Sequence, residues 1–178
     1  MTDCGNEEGK LLVVGIGSSI KNVISTLNNE HGKYHLLYMG EDGANSDGID
    51  FYDMTFLLDD LNTTGKIPGR HKTNICEFIN SRYSECYIEK ILMVVGMSWD
   101  EGLIVSHFIA SLLKEEGLHL FAFVTSPFKF EGRSRVNLAR LIINDLYPLV
   151  DSLIWIDLES TKIGHEESTK GIQASIDH

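Results

Sequence analysis

The chain alternates short, continuous apolar runs with longer stretches of helical periodicity, and few folds satisfy that pattern. Leu11-Leu-Val-Val14, His35-Leu-Leu-Tyr-Met39, Ile91-Leu-Met-Val-Val95, Leu120 to Thr125 and Leu153 to Ile156 are the apolar runs. Between them, Ile20, Val23, Ile24 and Leu27 fall on one helical face, as do Ile75, Phe78, Ile79 and Tyr83. Leu103 to Glu116 repeats the pattern with Ile104, Val105, Phe108, Ile109 and Leu112, and Arg133 to Leu149 with Ala139, Ile142, Ile143 and Leu146. A strand apolar at every position is buried on both faces, which happens when helical crossovers cover a parallel sheet. The pattern predicts a doubly wound α/β domain with a mostly parallel sheet and helices on both faces. Its ligand crevice is expected beyond the carboxyl ends of the strands, where strand order reverses.

Composition removes several classes of function. A net charge of −11 and a pI near 5.0 argue against a general nucleic-acid or acidic-membrane surface. No apolar run approaches the roughly 20 residues that span a bilayer, so no membrane insertion is expected. Cys4, Cys76 and Cys86 lack metal-ligand spacing and suggest reduced thiols, hence a cytoplasmic protein. Residues 1–9 are expected to form a flexible N-terminus, 10–158 one domain and 159–178 a polar, mobile tail. The Gly40 to Gly48 loop and the breaker-rich Asn62 to Gly69 connection leave the fold of 40–69 open.

Three loops fall where such a sheet binds ligands. Val14-Gly-Ile-Gly-Ser-Ser-Ile-Lys-Asn22 joins the first strand to the first helix, and a G-x-G there can serve a tight turn or a phosphate. Gly96-Met-Ser-Trp-Asp-Glu-Gly102 follows the third apolar run, and Thr125-Ser-Pro-Phe-Lys-Phe-Glu-Gly-Arg-Ser-Arg135 follows the fourth. His107 and His119 have no ligand-like spacing and read as structural histidines; no serine sits in a nucleophile motif, so no catalytic residue is assigned.

The third loop, with Val150-Asp-Ser-Leu-Ile154 after it, resembles the nucleotide-binding domain of the FtsZ/tubulin family, whose pattern is roughly VTKPFxFEGxxR…VDxLIxI. The first loop overlays that family's VxGxGGGGGNAV with Gly15, Gly17 and Asn22 matching, and Asp42 overlays the aspartate of its NTD motif. The resemblance implies that a retained nucleotide would meet Gly15, Gly17, Ser18 and Asn22, then Gly96 and Met97, with Glu131 near the ribose and Arg135 near the sugar–phosphate. GTP or GDP with magnesium would then be the cofactor.

The departures point the other way. Ser18, Ser19, Ile20 and Lys21 stand where the family has glycines, and a β-carbon there obstructs approach of backbone amides to phosphate. In the second loop, Ser98, Trp99, Asp100 and Glu101 interrupt the family's GMGGGTGTG. Two carboxylates at a helix start stabilise its dipole by roughly 0.3–1 kcal/mol each. One carboxylate about 4 Å from a phosphate charge costs on the order of 4 kcal/mol at an effective dielectric of 20. The expectation is a free-standing, degenerate FtsZ-like domain without GTPase activity, binding no cofactor. It would act as a protein-interaction module, linked by the resemblance to cell division or filament regulation. Its partner would be a filament-forming relative or a second copy. The alternative is a GTP- or GDP-binding protein with altered phosphate loops.

Overall fold

A computed structural model describes residues 11–27, 34–41, 48–96 and 100–159, with side chains from 104 onward in the last segment. The apolar runs become strands β1 (Leu11–Ile16), β2 (His35–Gly40), β4 (Lys90–Gly96), β5 (His119–Thr125) and β6 (Ser152–Ile156). A further strand, β3 (Ile49–Asp53), comes from the region the sequence left open. The helices are α1 (Lys21–Leu27), α2 (Thr55–Thr64), α3 (Gly69–Tyr83), α4 (Asp100–Glu115) and α5 (Arg133–Leu146).

All strand pairs are parallel, in the order β3-β2-β1-β4-β5-β6. In the middle of the sheet Val14 lies between Leu37 and Met93 in register. Strand order reverses between β1 and β4, so the doubly wound expectation holds and the crevice position follows from it.

The two faces are covered unequally. Leu12, Val14, Leu37, Ile91, Met93, Leu120 and Ala122 pack with buried residues of α2, α3, α4 and α5 into the main core. The opposite face carries a smaller cluster of Val13, Leu36, Tyr38, Ile49 and Val94, closed by Ile20 and Ile24 at the start of α1. Among the described residues, α1 is the one α-helix on that face.

Most predicted inward positions are inward: Ile75, Val105, Ile109, Leu112, Ala139, Ile142, Ile143 and Leu146 are buried. Val23 and Ile104 are not, at 44% and 42% exposed. Each lies at the margin of its helix's apolar stripe, where a branched side chain fits the periodic pattern without reaching the sheet.

Local chemistry accounts for α2, which periodicity alone did not reveal. The Asp53 carboxylate accepts hydrogen bonds from Thr55 N (2.8 Å) and Thr55 Oγ1 (2.6 Å) at the start of the helix. Those bonds hold the Asp53 carboxyl below the ordinary carboxylate range. At the other end Gly65, at φ 67°, donates its N–H to Leu61 O at 2.7 Å, a left-handed stop that glycine adopts without strain. The breaker-rich Asn62–Gly69 stretch is thus half helix end, half connection. Of the thiols, Cys76 is free and half-buried, Cys86 is buried against the main core, and Cys4 lies outside the described residues.

Candidate functional site

The crest of the sheet, at the carboxyl ends of β1, β4, β5 and β6, is built from the first and third loops and the stub of the second. Gly15 is still within β1. A β-carbon there would lie 2.3 Å from Ile24 Cγ1 and 2.7 Å from Ile24 Cδ1, so its bareness lets α1 settle on the sheet. Gly17 follows at φ 90°, ψ 157°, a conformation that favours glycine, and donates its N–H to Met39 O at 3.0 Å. The first loop is thereby tied to the end of β2.

From Gly17 the chain does not spread its amides around an open cradle. Ser18–Ile20 winds into a 3-10 turn closed by Ile20 N donating to Gly17 O at 3.1 Å. Ile20 turns inward, 3% exposed, into the smaller cluster with Val94. The turn seats on β4. A β-carbon on Gly96 would lie 2.0 Å from Ser19 Oγ and 3.1 Å from both Ile20 Cδ1 and Cγ1. At the strand-order reversal the first loop and Gly96 are therefore in direct side-chain contact. Ser18 and Asn22 stay exposed beside this contact.

Met97, Ser98 and Trp99 lie outside the described residues, as do Asp42 and the side chains of Asp100 and Glu101. The backbone of α4 does begin at Asp100, with Glu101 next, so both occupy its first turn.

The third loop carries its own hydrogen bonds around Glu131. Phe128 N donates to Glu131 Oε1 at 2.8 Å, and Arg135 Nη1 donates to Glu131 Oε2 at 3.4 Å from the first turn of α5. Gly132, at φ 112°, makes the bend between this loop and the helix. Glu131 and Arg135 are thus brought together, four residues apart, and each already has a partner. The third loop starts at Thr125, which is paired in register with Gly96 on the neighbouring strand.

No local pattern in the chain marks the carboxylates that stitch the next edge. Buried Ser126 donates from Oγ to Asp157 Oδ1 (3.2 Å) and from N to Ile156 O (2.9 Å). Glu159 Oε2 accepts from Lys129 N at 3.3 Å. An acidic residue just past an apolar strand was the available signal, but it is common enough at strand ends to pass as a solvated side chain. Other polar clusters sit on the helices. His71, 4% exposed, places Nε2 2.6 Å from Asp60 Oδ2, and that hydrogen bond, with Arg70 beside it, holds the Asp60 carboxyl below its usual range. Tyr83 Oη donates to Asp50 Oδ2 and Arg82 Nε to Asp50 Oδ1, each at 2.7 Å; burial first, then that carboxylate, push the Tyr83 phenol far up.

Six parallel strands in this order, with three loops meeting at the reversal, define the class of doubly wound α/β domains that hold ligands across the crest. Comparison with known proteins narrows the class. No family model matches the chain. Cell division protein FtsZ of Haemophilus influenzae is 38% identical over 68 residues, 38% of this chain and 16% of that protein. FtsZ of Pseudomonas aeruginosa is 36% identical over 91 residues, 50% of this chain and 23% of that protein. Among solved structures, an empty FtsZ dimer of M. jannaschii superposes with a TM-score of 0.66 over 85% of this chain and 46% of its own, at 21% identity. GDP-form protofilaments of Bacillus thuringiensis TubZ give a TM-score of 0.70 over 94% and 50%, at 13% identity. The chain is related to the nucleotide-binding domain of the FtsZ/tubulin family. The matched region is under a quarter of each of these two curated FtsZ relatives and about half of the solved ones. Among the described residues no helix is long and apolar enough to cross a membrane.

Proposed function

We propose that this domain has exchanged nucleotide binding for protein contact: an FtsZ/tubulin-type domain that neither holds nor hydrolyses GTP and acts as an interaction module for a filament-forming relative or a second copy. The observation that carries the reading is the contact of Ser19 and Ile20 with the end of β4 at Gly96. A phosphate cradle of this type needs bare, convergent amides and room for an anion. Here a serine hydroxyl and a branched apolar side chain lie at the reversal. Glu131 and Arg135, which the resemblance would assign to ribose and phosphate, are satisfied by Phe128 N and by each other. Asp100 and Glu101, in the first turn of α4, are acidic residues where the family's loop is glycine-rich. The names of the relatives supply the setting, cell division and filaments.

The test is thermal stability with millimolar Mg-GTP, Mg-GDP or Mg-ATP. A ligand at 100 times its dissociation constant stabilises by about 2.7 kcal/mol, or roughly 5–10 °C in a domain of this size. The expected shift is nil. A shift with any of these nucleotides overturns the proposal in favour of a binding-competent domain.

A further inference from the structure

The chain leaving β6 turns back onto the third loop. Leu158 and Glu159 have helical backbone, and Asp157 stands before them in the capping position, its Oδ1 accepting from Glu159 N at 3.1 Å. The same oxygen accepts from Ser126 Oγ at 3.2 Å. Ser126 is 5% exposed and is the first residue past β5. One carboxylate oxygen therefore joins the start of the third loop to the start of a helical turn. That turn makes a second bond to the loop, because Glu159 Oε2 accepts from Lys129 N at 3.3 Å, 30 residues away in sequence.

Successive amides of the loop thus answer to different holders. Ser126 N is fixed by the sheet, donating to Ile156 O at 2.9 Å. Pro127 has no N–H to give. Phe128 N is fixed from within the loop, by Glu131 Oε1 at 2.8 Å. Lys129 N is fixed by Glu159, and the place of Glu159 is set by its own amide on Asp157.

We infer that Asp157 to Glu159 forms a conformational relay, a helical turn whose winding decides whether the middle of the third loop is held or free. Asp157 is its positioning residue. A first helical turn fixes several backbone angles for one hydrogen bond and is unstable alone, and an aspartate cap is the kind of group that favours it. With the turn wound, the Glu159 carboxylate meets Lys129 N. With the turn unwound, that carboxylate is carried off and the Lys129 amide opens, while the Phe128–Glu131 bond stays. Any event that draws on the segment after β6 is then felt at the crest, on the loop that carries Glu131 and Arg135. The inference goes beyond the proposed function and holds whether or not a nucleotide binds.

The experiment measures amide–solvent exchange by NMR, residue by residue, on the labelled full chain. Asp157→Ala should speed exchange at Lys129 by about threefold or more, the loss of one modest hydrogen bond, although that bond is made by Glu159. Glu159→Ala should do the same. Combining the two should add nothing at Lys129, since both act through one bond. Asp157→Asn, whose side chain still caps, should restore the parent rate. The Phe128 amide should keep its rate in all four variants. A Lys129 amide that responds to Glu159→Ala and not to Asp157→Ala overturns the relay. So does one that responds to neither, or to the double variant by the product of the single effects. Faster exchange throughout β5 and β6 in Asp157→Ala also overturns it, because Asp157 would then support the sheet as a whole.

Discussion

Gly96→Ala probes the contact on which the functional account depends. The added β-carbon would sit 2.0 Å from Ser19 Oγ and 3.1 Å from two carbons of Ile20. Ser19 is exposed and can swing its hydroxyl aside, but Ile20 is 3% exposed and wedged against Val94, so the turn as a whole must lift. Overpacking of this kind costs about 1–3 kcal/mol, a fall of roughly 2–12 °C in Tm at this chain length. Ser19→Gly alone should cost less, about 0.5–1 kcal/mol, through backbone entropy. In the double variant the nearest clash is gone and only the 3.1 Å contacts with Ile20 remain. Because Ser19 can turn aside while Ile20 cannot, the double variant should recover only the smaller part of the loss, a non-additivity of about 0.5 kcal/mol, the low end for residues in contact. Urea denaturation of the four proteins gives the coupling directly. Strictly additive losses would show that the first loop does not rest on β4, and the closed-crest argument would fail with them.

Gly15→Ala should be worse than Gly96→Ala in the same assay, because its β-carbon would meet buried Ile24 at 2.3 Å rather than an exposed serine. Asp53→Ala removes the two bonds to Thr55 at the start of α2 and should cost about 0.5–2 kcal/mol of stability, whereas Asp53→Asn should keep most of it. Leu146→Ala, at a fully buried α5 position, should cost about 2–5 kcal/mol, read from the denaturation midpoint. Asp60 and Asp151 have carboxyl pKa values lowered in the folded state, by the His71 and Lys114 hydrogen bonds first of all. Their stabilisation is complete above the unfolded value near 3.8 and is lost as pH falls below it through the folded values. Denaturation midpoints between pH 5 and 2 should thus decline less steeply in Asp60→Asn and Asp151→Asn than in the parent; equal slopes would contradict the assignment.

The sheet was legible because five of its six strands are apolar at nearly every position, a signal that needs no context. β3 was not, because Ile49-Asp-Phe-Tyr-Asp53 carries two acids, each of which has its own partner. Asp50 is taken by Arg82 and Tyr83, Asp53 by Thr55. Those partners lie up to 33 residues away, beyond any local window. Val23 and Ile104 show the converse, since periodicity puts them on the apolar face but only the finite width of the sheet decides whether they reach it. At the crest, the loops themselves could be located from the chain. The role of Gly15 in seating Ile24, and of Gly96 in seating Ser19, could not, because each depends on where a neighbouring element crosses the strand.

Amide shifts of the labelled protein during a titration with Mg-GDP, followed at Gly17, Ser19, Gly96 and Arg135, address the closed crest most directly. The account predicts that these four signals stay where they are up to millimolar nucleotide. Saturable movement of the Gly17 and Gly96 amides together would mean that the two loops part to admit a phosphate, and would contradict it.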